Sequence, residues 1–256
     1  MNIVAIHQLQ GHTEELAHNL AQAMGITPYE ARTRVSVPSG GPTIVASFAS
    51  RQQAEECALR LSDTGFSTLV LDSEHVESDL KRLIGRKLQF EPDALEIACP
   101  DGQRLSLPYE EINLILRGTG IISAVELETS TKKKFALGRA VATGGLVMRK
   151  KVKNVTTTTN QERQPFCHLY VRGQQPVVLR QAEMDYSTLG ENRQLSRDAN
   201  FNWICAELRR RCPSARWDER LQTRPGLAQT LGPAFDPEQH VDVAITLVAQ
   251  AKLFNA

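Results

Sequence analysis

Residues 25–72 read GITPYEARTRVSVPSGGPTIVASFASRQQAEECALRLSDTGFSTLVLD, and this stretch decides the architecture of the chain. Thr27-Pro28-Tyr29-Glu30 opens a short helix. Thr27 stands at the N-cap, Pro28 takes the first helical position, where a missing N–H costs nothing, and Glu30 closes a capping box. Pro38-Ser39-Gly40-Gly41-Pro42 stops that helix. Residues 43–49 form an apolar run of buried-strand type. Ser50 is then the expected cap of a helix whose apolar face is Ala54, Cys57/Ala58 and Leu61; Gly65 ends it and 66–71 is the next strand. A strand, a crossover helix and a second strand predict two neighbouring strands of one sheet.

Upstream, 2–9 is a short apolar strand. Residues 12–24 place Leu16, Leu20 and Ala23/Met24 at helical spacing, with Thr13 as the expected cap, Glu14 and Glu15 favoured by the helix dipole, and Gly25 as the stop. Downstream, 73–85 is a charged connector containing Asp79-Leu80-Lys81-Arg82, and the texture then changes. Short strands are predicted over 87–91, 94–99, 103–108, 112–117, 125–128, 166–172 and 177–181. Asp101-Gly102 and Gly173-Gln174-Gln175-Pro176 are hairpin turns between them. Residues 196–212 are helical, with Phe201, Ile204/Cys205, Leu208 and Cys212 on one stripe, and Arg209-Arg210-Arg211 at the end that suits the dipole. The remainder is looser: Arg224-Pro225-Gly226 and Gly232-Pro233 read as loops. Asp236-Pro237-Glu238-Gln239 opens a last helix, apolar at Val241, Ala244/Ile245, Val248 and Ala251, which should pack back on the protein or on a second copy.

Two resemblances follow from these residues. Gly25-Ile26-Thr27 before Glu30-Ala31, the turn Gly40-Gly41, and Ser50 followed by Ala54-Glu55 and Gly65 make residues 2–72 resemble the C-terminal domain of the bacterial ribosomal stalk protein and the related ClpS adaptor of the Clp protease. The resemblance implies a small α/β fold that docks protein partners through its paired helices, with Tyr29, Arg32 and Arg34 on the matching surface. The acidic run with which ClpS proteins hold an α-ammonium is replaced here by His7-Gln8-Leu9, so it does not imply degron recognition. Residues 81–212, short strands closed by one helix and carrying Leu107-Pro108-Tyr109 before Ile112, are similar in element order to bacterial pleckstrin-homology-like domains. An open, bent sheet needs a helix to plug one end. The expected class is therefore α+β, organised as a ClpS/ribosomal-stalk-like domain (1–76), a pleckstrin-homology-like β domain (77–215) with a basic insert (129–161), and a loop with a C-terminal helix (216–256).

Composition narrows the function classes. The net charge of the 256 residues is +1, which supplies no global field for nucleic acid or membrane. The charge is nonetheless segregated. Residues 129–161 contain no acid and eight cations, Lys132, Lys133, Lys134, Arg139, Arg149, Lys150, Lys151 and Lys153; without them the chain stands at −7. These residues form a candidate anionic-surface site, and each cation near an anionic membrane contributes about 1 kcal/mol. With Phe135 as the sole interleaved aromatic, nucleic acid is disfavoured. Five scattered cysteines without a C-x-x-C pair point to a reducing compartment, and with no signal-peptide pattern and no long apolar run, a cytoplasmic protein is expected.

No motif of catalysis stands out. There is no G-x-S-x-G and no phosphate loop, because Gly144-Gly145 is followed by Leu146-Val147 rather than Lys-Ser/Thr. The six histidines never fall at metal-ligand spacing with a Cys or carboxylate on one element. Cys167 and His168 are adjacent in a strand and face opposite ways. No catalytic residue, metal or cofactor is expected. The expected function is a non-catalytic adaptor or regulatory protein for a protein or peptide partner, with peripheral binding to an anionic membrane through 132–153 as the alternative.

Overall fold

The computed structural model of the chain describes residues 1–37, 40–135 and 149–253 and has an α+β fold. Residues 1–120 and 164–256 form one compact unit, and 121–163 form another.

The N-terminal segment begins with strand β1 (Asn2–His7), followed by helices α1 (Thr13–Met24) and α2 (Pro28–Val35), strand β2 (Thr43–Phe48), helix α3 (Arg51–Asp63) and strand β3 (Ser67–Asp72). The local signals act as expected for α2: the Thr27 hydroxyl accepts from the Glu30 N–H at 3.3 Å, and the Glu30 carboxylate accepts from the Thr27 N–H at 2.9 Å. Gly25 ends α1 in the left-handed region with φ 64°. Two details differ. His12 rather than Thr13 occupies the N-cap of α1, and Ser50 sits at the cap of α3 without a side-chain bond. The sheet order is also different from the one expected. It is β2-β1-β3, with β1 antiparallel to both outer strands, so β2 and β3 are not neighbours. Helix α3 carries the chain across β1, whose six residues are all buried. A strand so uniformly buried needs cover on both edges and both faces, and the central position supplies the edges.

The second group of strands divides into two sheets. Strands β5 (Lys87–Phe90), β6 (Ala94–Ala98) and β7 (Arg104–Pro108) form an antiparallel meander. Gly102 turns its second hairpin at φ 87°. The other sheet has the order β11-β8-β9-β10-β4, built from β4 (Leu83–Gly85), β8 (Ile112–Phe135), β9 (Arg149–Val171), β10 (Val177–Arg180) and β11 (Arg216–Leu221). The segments expected at 112–117 and 125–128 are one strand, β8, and the segment at 166–172 is the end of β9. The sheet is mixed: β4 runs parallel to β10, and β11 runs parallel to β8. Helix α4 (Arg197–Arg211) has Ser196 as its cap, the hydroxyl accepting from Ala199 N–H at 3.1 Å. Its face of Phe201, Ile204, Cys205 and Leu208 lies in one core with Leu88, Leu95 and Ile97 of the meander and Ile115, Cys167 and Leu169 of the mixed sheet.

The C-terminal segment is more ordered than its composition suggests. Residues 216–221 are strand β11, and 224–226, expected as a loop, open helix α5 (Arg224–Leu231). The Thr223 hydroxyl accepts from Gly226 N–H at 3.2 Å, the cap that the run Thr223-Arg224-Pro225 provides. Gly226 is present because of a close approach: a Cβ there would stand 1.9 Å from the Arg220 carbonyl oxygen. The Asp236 signal makes a turn, its carboxylate accepting from Glu238 N–H at 2.8 Å, and helix α6 (Val241–Leu253) starts beyond it. Residues Val243 to Ala249 of α6 are all buried, more than one stripe. They share a core with Ile3, Ala5, Ile44 and Leu71 of the first sheet and with Leu114, Leu116, Phe166 and Val178 of the mixed sheet. This core crosses position 77, so α6 packs back on the protein as its central helix. The Thr43 hydroxyl donates to the Gln229 carbonyl at 2.6 Å, and Arg220 donates to the Gly41 carbonyl, fastening β2 and its preceding loop to the C-terminal segment.

Candidate functional site

The residues expected to dock a partner lie on α2 but do different work. Tyr29 is 81% exposed. Arg32 is ion-paired with Glu14 of α1, and the Arg34 guanidinium donates to the Val45 carbonyl at 3.3 Å, so it holds α2 on β2. Of the basic residues, Lys132, Lys133 and Lys134 lie on β8, and Arg149, Lys150, Lys151 and Lys153 lie on β9, whereas Arg139 is outside the described residues.

The structure brings together a different set. Where β8 begins, β9 ends and β11 begins, a cleft of about 590 Å³ opens beside the last turn of α6. Glu77 of the connector and Tyr170 of β9 form part of its wall; Arg172, Arg216 and Lys252 bring three cations, and Asn113, Gln174 and Gln250 bring three carboxamides. A second lobe of about 260 Å³ lies between His7, Gln8, Gly40 and Gly41 and the same Arg216 and Lys252, so the two lobes adjoin at that pair. The volume of the larger lobe is in the range that takes a ligand rather than a few waters.

A buried charge network underlies the cleft. The Tyr170 hydroxyl donates to Glu77 Oε2 at 2.9 Å. Arg82, whose side chain is 2% exposed, lies 3.7 Å from the same carboxylate, donates to Asp242 at 2.6 Å and donates to the Glu77 carbonyl at 3.0 Å. Asp79 lies 3.5 Å from Arg82 and is also bonded by Arg180 of β10. The Glu77 N–H donates to the Thr246 hydroxyl at 2.9 Å, and that hydroxyl donates to the Asp242 carbonyl at 2.8 Å. The connector is thereby clamped to α6 and to the sheet. Burial raises the Glu77 pKa, with Tyr170 and Arg82 working against it. Burial and then the Glu77 charge push the Tyr170 phenol well above its ordinary value. Beneath them His168 is fully buried, and burial, then Arg82 and Arg180, push its pKa well below the ordinary imidazole value; its Nδ1 has no hydrogen-bond partner among the described residues.

At the rim, Arg216 donates to the Lys252 carbonyl at the C-terminal end of α6. Lys252 Nζ lies 3.9 Å from Asp218, but that carboxylate is already held by Arg220 Nε and Nη2 at 2.8–3.0 Å. Arg172 is exposed, and its side chain has no hydrogen bond or ion pair among the described residues. The lining of the larger lobe includes no Cys and no His, and Ser214 has no base bonded to it among the described residues. Chemically the cleft can hold an extended polar chain, with carboxamides to meet backbone groups and cations to meet carboxylates. Among the described residues of its lining, the hydroxyl held against a carboxylate is that of Tyr170 on Glu77, and burial and then the Glu77 charge push that phenol well above its ordinary pKa, which disfavours the phenolate a nucleophile needs.

The cleft is not legible in the sequence, because its members come from positions 77, 113, 170–176, 214–216 and 249–253 and no short spacing links them. The signal available was Tyr170, a phenol beside His168 in a mainly apolar strand end. Among the described residues no group of three His, Cys, Asp or Glu is placed to hold a metal ion, and no helix is long and apolar enough to cross a membrane. Comparison of the chain with protein-family models, with curated proteins and with solved structures finds no match.

Proposed function

We propose that the chain is a non-catalytic adaptor that holds a peptide, or an extended segment of a partner protein, in the two-lobed cleft. The observation that carries this reading is the cleft's lining: carboxamides and cations from five separated segments converge on a ligand-sized space. The likeness to ClpS and the stalk domain, which rests on the order β1-α1-α2-β2-α3-β3, supports it. The likeness of the middle segment to pleckstrin-homology-like modules draws on α4 closing a core between the meander and the mixed sheet. The five cysteines, all buried and unpaired, support placement in a reducing compartment, the cytoplasm.

The test is selection of peptides from a random-sequence display library by the full chain, compared with a Ser214→Trp variant that fills the mouth of the cleft from an exposed position. The reading expects peptides that bind the native chain and are lost on the variant. Selection of none, or of peptides that bind both equally, contradicts it.

A second reading rests on the charge segregation: eight cations and no acid between 129 and 161 suit a weak contact with an anionic membrane. It expects flotation with phosphatidylserine vesicles that is lost when these residues are changed to Gln; flotation indifferent to salt and to the change contradicts it.

A further inference from the structure

We infer that the cleft selects an acidic segment, whose carboxylates sit at Arg172, Arg216 and Lys252. This inference rests on the peptide-binding reading and names its ligand class. Outside the basic insert the chain stands at −7, yet three cations gather around one cleft. Cations collected at a concave site on an acidic surface focus a positive potential there.

The negative groups nearby are already engaged. Glu77 accepts from Tyr170 and faces the buried Arg82. Asp218 is bound twice by Arg220, which leaves Lys252 at a distance of 3.9 Å. The C-terminal pole of α6 carries about half a negative charge, and Arg216 meets it by donating to the Lys252 carbonyl. That bond uses one of the five guanidinium N–H donors and fixes the plane of the rest. The smaller lobe has Arg216 and Lys252 as its charged lining together with His7, whose pKa is lowered, first by burial. An incoming carboxylate therefore meets cations in both lobes. Carboxamides in the same lining, Asn113, Gln174 and Gln250, favour a chain with its own amide groups over a small anion.

The experiment is fluorescence anisotropy with labelled hexaglutamate and hexaglutamine, using the full chain with Lys132, Lys133, Lys134, Arg139, Arg149, Lys150, Lys151 and Lys153 changed to Gln, so that the insert cannot attract the probe. Hexaglutamate is expected to bind, to weaken with added salt, and to lose about tenfold or more in affinity on Arg216→Gln/Lys252→Gln, as charge-assisted bonds would. Hexaglutamine should bind at least about tenfold more weakly than hexaglutamate. Undiminished hexaglutamate binding by the double variant overturns the inference. So does displacement of hexaglutamate by equimolar inorganic phosphate, which would mark a small-anion site. Display peptides that are neutral or basic, lost on Ser214→Trp but retained on Arg216→Gln/Lys252→Gln, overturn the acidic preference and leave the peptide-binding reading standing.

Discussion

Single residues carry the electrostatic consequences. His168 has a folded pKa well below its unfolded value, so its contribution to stability is complete above about pH 6.5 and declines as the pH falls toward the folded pKa. The slope approaches about 1.4 kcal/mol per pH unit. Between pH 6.5 and 5 the native chain should therefore lose up to about 2 kcal/mol more than a His168→Phe variant in urea denaturation, whatever the variant's absolute stability; equal losses would contradict the burial argument. Arg82 is the counterpart case. Its side chain is buried against Glu77, Asp79 and Asp242. Removing one partner of such a cluster leaves the others uncompensated, so Arg82→Met should cost about 3 kcal/mol. Adding Glu77→Gln should recover part of that loss, the coupling that a double-mutant cycle measures.

At the scale of elements, close contacts and surface pairs set the outcomes. In Gly226→Ala the new methyl would collide with the Arg220 backbone, which cannot swing aside as a side chain can, and a loss of at least about 2 kcal/mol is expected in thermal or urea melts. On α4, hydrogen bonds from Arg210 and then Arg211 hold the Glu207 pKa down to about 2, while Arg211 also donates to the Glu91 carbonyl and the Tyr109 hydroxyl. A depressed carboxylate stabilises above its unfolded pKa and loses that contribution as acid is added, so Glu207→Gln should cost about 1 kcal/mol at pH 7, discounted for screening, and little at pH 2. The elements themselves were partly legible. The Thr27–Glu30 box, Gly25 and the Asp101-Gly102 turn act within a few residues of themselves and were read correctly. In sequence Gly226 looks like a loop breaker, because the close approach it permits, to Arg220, depends on the fold rather than on neighbouring residues. The position of β1 between β2 and β3 is likewise a long-range pairing that no local propensity encodes.

For the molecule as a whole, the decisive feature is the core that α6 shares with both groups of strands. Leu247 is fully buried in it, and Leu247→Ala should cost about 3 kcal/mol. Because Ile3, Ala5, Ile44 and Leu71 cover part of that core, residues 1–120 and 164–256 should unfold together, with tryptophan fluorescence from Trp203 and Trp217 coinciding with far-ultraviolet circular dichroism. Two separated transitions would contradict the shared core. The same packing explains why the cleft was invisible in the sequence: Arg172, Arg216 and Lys252 are spread over the last third of the chain and meet through strand order and the return of α6. The basic insert, by contrast, is contiguous and announces itself.

Site-specific photo-crosslinking shows whether the cleft is the binding surface. A benzophenone amino acid is placed at Gln174 in the cleft, at Tyr29 on α2 and at Lys133 on β8, one at a time in the full chain, and the display-selected peptide is added. Crosslinks are expected from position 174 that disappear with Ser214→Trp, and none above background from 29 or 133. Crosslinking from position 29 or 133 with position 174 silent would contradict it.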